Sequence, residues 1–243
     1  MSLTHYPPAV ETPYELLVAQ GKVTGVSSLN IYGTQSNVNG TFIPVWEKDT
    51  AYTYPTSAIQ MTLYSSSASD TNVTIRIDGL DANYNMLSEN LVLTNGTTGV
   101  TTVNSYFRIN AISVLQTSSV MPVGTIYLAN STKAITYAQI NVDVGRSQMT
   151  IYTVPAGYTF YLERVGAYTS AGPTKTTYYR ARLRSPTGVV QQVLVTPFTE
   201  SYIVDRLVGR PYPEKYDIQF QASSDATSFV SIQVEGYLVK NVL

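Results

Sequence analysis

Short runs in which apolar and polar residues alternate one by one dominate this sequence. The segments Val73–Ile77 and Tyr179–Arg184 show the pattern clearly, and Gly, Asn, Asp or Ser bounds most such runs. Alternation at period two places one set of side chains on each face of a strand. No long window carries the i, i+3, i+4, i+7 stripe of an amphipathic helix. The pattern predicts an all-β fold made of antiparallel β-sandwich or jelly-roll-like domains.

A change in charge balance predicts two domains in tandem. Residues 1–145 contain five Lys/Arg and nine Asp/Glu, a balance of −4, whereas residues 146–243 contain ten and seven, a balance of +3. We therefore expect an N-terminal β-sandwich domain over residues 22–145 and a C-terminal, jelly-roll-like sandwich over residues 146–243. Residues 1–21 carry three prolines and lack a strand pattern, which predicts an extended N-terminal arm.

The segment Met149–Arg164, MTIYTVPAGYTFYLER, predicts a hairpin that opens the second domain. Pro155 suits the second position of a type I turn, and Gly157 suits the fourth. The hairpin bears on architecture and carries no reactive group.

Composition excludes several kinds of chemistry. The chain has no cysteine and one histidine, His5, which excludes a disulfide framework, a thiolate zinc site and an internal Ser-His-Asp triad. The net charge of −1 makes nucleic acid an unlikely partner. No apolar run approaches the roughly 18 residues of a membrane span, so no membrane partner is expected.

Paired carboxylates are the remaining route to catalysis, and the sequence offers two pairs. Asp78 with Asp81, and Glu214 with Asp217, are expected in polar turns where carboxylates meet water, whereas an acid catalyst needs a desolvating pocket. The DANYN segment that begins at Asp81 resembles the start of an EF-hand loop, but Met86 replaces the required glycine, so we expect a hairpin turn. The sequence thus predicts a protein that is not an enzyme, with no catalytic residue, metal or cofactor.

Three arginines, Arg180, Arg182 and Arg184, fall on one face of a predicted strand, roughly 7 Å apart. They are candidates for a subunit contact in which carboxylates of a neighbouring chain pair with the guanidinium groups. Two alternatives stay open: a solvated sheet face that deters edge aggregation, and a phosphate contact with nucleic acid.

Aromatic residues are the second candidate contact. The chain has 20 tyrosines against six phenylalanines, and tyrosine suits both half-exposed strands and contact surfaces. Trp46, the only tryptophan, is followed by Tyr52 and Tyr54, which together could form a stacking platform for a ligand. The alternative is an anchor of the core.

The segments VTIRIDGLDANYNMLSENLVLTNGTTGVTTVNSYFRINAI (residues 73–112) and TIYTVPAGYTFYLERV (residues 150–165) resemble a family of virion structural proteins of tailed bacteriophages, podophages and myophages of the cyanophage type. The shared features are a Gly-Leu-Asp turn, an aromatic-Arg-Ile-Asn strand, the YTVPAG segment and a proline-to-Asp-Ile segment, here Pro213–Ile218.

The resemblance implies a structural protein of the virion, attached at the capsid surface or the head-to-tail neck as a decoration, neck or fibre-type component. It implies assembly with copies of itself, as a trimer or larger homo-oligomer, and with capsid, portal, adaptor or tail proteins. The alternative is a host-receptor or carbohydrate-binding module of a tail or fibre. A binding module would gather its aromatic residues in one cleft, whereas an assembly protein would spread them over separate patches.

Overall fold

A computed structural model describes residues 12–117 and 121–241, and strands form most of them. One helix, α1, spans Tyr14–Ala19. The strands are β1 (Val26–Val38), β2 (Ile43–Pro44), β3 (Thr62–Ser65), β4 (Val73–Leu80), β5 (Met86–Leu93), β6 (Val100–Thr101), β7 (Arg108–Gln116), β8 (Ile126–Ala129), β9 (Thr136–Ile140), β10 (Ile151–Thr153), β11 (Tyr158–Thr169), β12 (Thr177–Arg184), β13 (Val190–Phe198), β14 (Ser201–Tyr212), β15 (Asp217–Ser224) and β16 (Ser228–Lys240). The predicted all-β fold class is confirmed.

The strands form four antiparallel sheets that pack as two pairs. Sheet I has the order β1-β16-β11-β14, and sheet II has the order β10-β15-β12-β13, with β2 added beside β15. Sheet III has the order β6-β3-β8-β9, and sheet IV the order β5-β4-β7. Sheets I and II enclose one apolar core and form what we call the C-terminal sandwich. Sheets III and IV enclose a second core and form the middle sandwich.

The alternation seen in the sequence becomes the inside and outside of each sheet. On β16, Val230, Ile232 and Val234 are buried in the C-terminal core, while Gln233 is exposed between the last two. Each aliphatic side chain withdrawn from water in this way contributes on the order of 1.5–3 kcal/mol to folding.

The strand pairing differs from the predicted domain division at its N-terminal end. β1 pairs with β16 and β2 pairs with β15, so residues 26–44 belong to the C-terminal sandwich and not with the rest of residues 22–145. The pairing joins segments about 200 residues apart, and local composition carries no information about such contacts. The predicted cut after residue 145 falls between β9 and β10, and the division into two domains stays a prediction.

The described part of the N-terminal arm is not extended. Residues 1–11 lie outside the described residues, but α1 packs beside β1, and the Tyr14 ring meets Tyr237 edge-on with 5.9 Å between centroids. Pro13 stands at the start of this helix, where a missing N–H breaks no intrahelical bond.

The YTVPAG segment does not form a hairpin, because β10 lies in sheet II and β11 in sheet I. The Tyr158 N–H donates to the Pro155 carbonyl at 3.3 Å, and Gly157 has a φ of 75°. The turn is therefore shifted by one residue from the prediction, with Gly157 at the third position, where a type II turn requires positive φ. The segment carries the chain from one sheet of the sandwich to the other.

Candidate functional site

A buried ion pair joins the two sandwiches. Arg108 on β7 binds Asp217 on β15 with both arms: Nε donates to Oδ1 at 2.7 Å and Nη2 to Oδ2 at 3.1 Å. The two side chains are only 6% and 3% exposed. Thr153 Oγ1 also donates to Asp217 Oδ1 at 2.7 Å, and Arg108 Nη1 donates to the carbonyls of Pro55 and Phe107. Four of the five Arg108 N–H groups thus donate, and both Asp217 oxygens accept, as a buried charge requires.

The same contact region contains the segments that carried the family resemblance. Asn110 exchanges two hydrogen bonds with the Thr153 backbone, at 3.0 and 2.9 Å. The Ala156 N–H donates to the Tyr84 carbonyl at 2.9 Å. We call this group (Tyr84, Arg108, Asn110, Thr153, Ala156 and Asp217) the seam. The four motifs of the family resemblance thus meet at the seam, although they are far apart in sequence. In this chain their contacts hold one sandwich against the other.

Sequence reasoning missed the seam. Asp217 was expected in a polar turn, but it lies on a strand and is 2% exposed. Asp78 also lies on a strand, where it forms a solvent-exposed ion pair with Arg76 of the same strand. The sequence did contain a signal: Arg108 and Asp217 each stand in a strand motif that is otherwise largely apolar. Charged residues are rarely fully buried unless they are paired, so two such charges of opposite sign indicate a buried pair.

The predicted aromatic platform is withdrawn into the protein. Trp46 is 1% exposed, and its indole N–H donates to the Thr50 carbonyl at 2.8 Å. Tyr52 stands edge-on to Trp46 at 5.1 Å and to Tyr54 at 4.9 Å. The guanidinium groups of Arg108 and Arg184 lie 5.0 and 5.4 Å from the Tyr54 ring centre. These three aromatic residues match the core-anchor alternative, and they lead from the middle core to the seam.

The predicted arginine row is present on one face of β12. Arg180, Arg182 and Arg184 are half-buried on the outer face of sheet II, and they alternate with Tyr179, Ala181 and Leu183, which are buried in the core. β12 lies between β15 and β13, so the row runs along an interior strand of the sheet.

The three arginines differ in what holds them. Arg180 donates to Gln221 Oε1 at 2.7 Å and lies over the Phe42 ring, and Arg184 lies over Tyr54. Burial, and secondarily the charge of Arg182, lowers the pKa of Arg180. Within the described residues, the Arg182 side chain forms no hydrogen bond, and none of the three side chains forms an ion pair with a carboxylate. The row is therefore a like-charged surface with no counter-charge in contact.

The outer face of sheet I has the opposite character. A groove of about 490 Å³ on this face is lined by four carboxylates, together with Arg164 and Arg206. The carboxylates belong to Glu15, Glu163, Asp205 and Glu235. Burial, and then the nearby charge of Glu15, raises the pKa of Glu163. Among the residues that the structure describes, one ion pair lies at this groove, between Arg164 and Asp205 at 3.2 Å, with both side chains half or more exposed.

Large apolar side chains are exposed on the strands of sheet I, which also carries the acidic groove. Tyr161, Tyr168 and Phe229 are between 37% and 49% exposed, and Ile203 is 62% exposed. On the opposite side of the sandwich, Val190 and Val195 are exposed on β13, next to the arginine row. Protein contact surfaces are enriched in aromatic residues and arginine. In this sandwich the exposed aromatic side chains lie on the face of sheet I and the arginine row lies on the face of sheet II.

A larger cleft of about 850 Å³ opens between β1 and sheet IV. Its lining includes the Arg76–Asp78 pair, Asn110, Arg146 and the exposed ring of Tyr32. Trp46, Tyr52 and Tyr54 are not among the lining residues. The aromatic side chains of its lining are Tyr32 and the buried Tyr152, so the cleft does not gather the several aromatic residues that the carbohydrate-binding alternative requires.

One carboxylate outside the seam, that of Glu47, has a strongly raised pKa. Burial raises the pKa of Glu47 to about 7, although the backbone N–H groups of Gln148 and Asn141 donate to its two oxygens at 3.0 and 3.2 Å and oppose the rise. Glu47 therefore holds together the loop before β10 and the end of β9, and its charge is costly there.

The DANYN segment forms the hairpin turn that its sequence predicts. Asp81 Oδ1 accepts from the backbone N–H groups of Asn83 and Asn85, at 2.8 and 2.9 Å, so the carboxylate organises its own turn. Among residues 12–117 and 121–241, no group of three or more His, Asp or Glu side chains is arranged to hold a metal ion. In the same ranges, no helix is long and apolar enough to cross a membrane.

Comparison with known proteins gives little. No protein-family model matches the chain, and no curated protein matches it. Among solved structures, a chain in the "Structure of infectious bursal disease virus Gt strain" aligns with 90% of this chain and 78% of its own length, at 9% identity and a TM-score of 0.18. A likeness at that score carries no argument about function.

Proposed function

We propose that this chain is a non-enzymatic structural protein of a tailed-bacteriophage virion, attached at the capsid surface or the head-to-tail neck through symmetric protein–protein contacts. The observation that carries the proposal is the pair of open sheet faces on the C-terminal sandwich. The face of sheet I carries exposed aromatic side chains and an acidic groove, and the face of sheet II carries exposed valines and three arginines without an ion pair; such combinations of apolar and charged groups suit a contact surface.

The seam supports the same function. A subunit that transmits load in a particle has to keep its domains in a fixed relation, and a buried ion pair with flanking backbone hydrogen bonds does this. The motifs that resemble the virion family supply those contacts. The resemblance in residues 73–112 and 150–165 thus concerns structure and gives no catalytic role.

The test is to look for the chain in purified particles of the phage that encodes it. Density-gradient-purified virions, washed in high salt, should contain the chain in a fixed ratio to the major capsid protein by quantitative mass spectrometry. A cryo-EM map of the particle should then contain its two sandwiches at a symmetric position on the capsid or neck. Absence of the chain from washed virions, while it is abundant in the lysate, would contradict the proposal.

The expected lack of enzymatic activity belongs to this proposal and has its own test. Purified protein should release no sugar from host polysaccharide. A hydrolytic activity that survives purification and is lost in the Asp78→Asn or Glu214→Gln variant would show that the chain is an enzyme.

A further inference from the structure

The two open faces of the C-terminal sandwich are complementary in charge. The outer face of sheet II presents Arg180, Arg182 and Arg184, and the groove on the outer face of sheet I presents four carboxylates against two arginines. From this arrangement, and resting on the proposed function, we infer that the partner of each face is a second copy of this chain, bound head to tail, with the arginine row of one copy against the acidic groove of the next.

Each face is strained by its own charge in the isolated chain. The arginines of the row lie on alternate residues of one strand, and like charges at such spacing repel. Arg184 has Asp217 as its cross-strand neighbour, but that carboxylate is bound by Arg108. In the groove, Arg164 is the cross-strand partner of both Asp205 and Glu235, so one guanidinium faces two carboxylates while Glu15 and Glu163 remain. Contact between the two faces would relieve the repulsion on both, which is the physical basis of electrostatic complementarity at interfaces.

Exposed apolar side chains would supply the buried area that the charges alone do not. Exposed ion pairs are worth only about 0–1 kcal/mol each, so a stable contact needs apolar burial as well. Val190 and Val195 are cross-strand neighbours of the arginine row, and Tyr168, Ile203 and Phe229 are exposed on the same sheet as the groove. Charge would set the choice and orientation of the partner, and the apolar side chains would supply the area.

The position of the faces fixes the kind of symmetry. Sheets I and II are the two layers of one sandwich, so their outer faces point away from each other. A contact between two different faces is heterologous, and repetition of it gives a closed ring or an open filament rather than a two-fold dimer. The middle sandwich covers the β15 side of sheet II through the seam, so the row is open on the β13 side.

The experiment uses the purified full chain and size-exclusion chromatography with light scattering. The basic-face variant is R182E/V195E, and the acidic-face variant is E15K/E235K; all four side chains lie on the proposed faces outside the core. A matched control is K175E, which reverses an exposed charge on the β11–β12 connection of the same sandwich, away from both faces. Thermal melting of each variant checks that it is folded.

We expect wild type and K175E to form species larger than a dimer, and we expect 1 M salt to weaken them because it screens exposed charges to within about 3 Å. Each face variant alone should associate at least tenfold more weakly, roughly 1.4 kcal/mol. An equimolar mixture of the two variants should give a dimer with one copy of each, since each contributes one intact face.

Three outcomes would overturn the inference. They are a wild-type chain that stays monomeric at its highest soluble concentration, a face variant that still forms dimers with itself, and a mixture that gives no mixed dimer while both variants remain folded. None of these three outcomes tests the proposed function, which depends on whether the chain is found in virions.

Discussion

The buried ion pair at the seam gives the sharpest prediction about stability. Asp217→Asn keeps the shape of the side chain and can still accept from Thr153, but it removes the negative charge and points an amide N–H₂ toward Arg108 Nη2. The guanidinium group, 6% exposed, then lacks a counter-charge. Breaking one side of a buried pair costs about 3–5 kcal/mol, a large part of the roughly 5–15 kcal/mol that stabilises a folded protein.

A matched control lies in the same protein. Arg76 and Asp78 form an ion pair of similar length, 2.9 Å, but their side chains are 48% and 38% exposed. Asp78→Asn should therefore cost no more than about 1 kcal/mol. The two aspartate-to-asparagine changes differ in burial and not in chemistry, so the difference between them isolates desolvation.

The assay is urea unfolding followed by the fluorescence of Trp46, the only tryptophan, which lies in the middle core and contacts the aromatic residues that lead to the seam. The double variant R108M/D217L should be more stable than D217N, because it removes both charges together. The argument fails if D217N unfolds within about 1 kcal/mol of wild type, or if it loses no more stability than D78N.

Two further stability predictions follow from the structure. Because the pKa of Glu47 is raised from an ordinary 4.5 to about 7, the folded state holds this proton more tightly than the unfolded state, so stability should fall as pH rises from about 4.5 to about 7. Urea midpoints across that range should show the fall for wild type, and Glu47→Gln should flatten it; an unchanged slope in the variant would assign the effect to other groups. Gly33→Ala should lower stability by about 1–3 kcal/mol, because the added Cβ would lie 2.5 Å from the Val45 carbonyl oxygen and 2.7 Å from Thr150 N. Gly166→Ala is the matched control on a strand of the same sheet, with nothing within 4 Å of its Cβ, and equal losses in the two variants would refute the packing explanation.

Local patterns in the sequence were sufficient for the fold class, most strands and several turns. Period-two alternation identified β4 and β12, because each strand's own residues decide which side chains can be buried together. The same rule identified the arginine row on β12, and the DANYN turn followed from side-chain geometry within a few residues.

Partner choice between strands needed the tertiary structure. The sequence gives no sign that β1 pairs with β16, that β10 and β11 lie in different sheets, or that Arg108 meets Asp217 across 109 residues of chain. Trp46 and the tyrosines after it could equally have been exposed, and only packing decided that they lead inward to the seam. Alternation is set by the covalent geometry of a strand, which any short segment expresses by itself, whereas pairing and burial depend on which distant segments come together, and many pairings satisfy the same alternation.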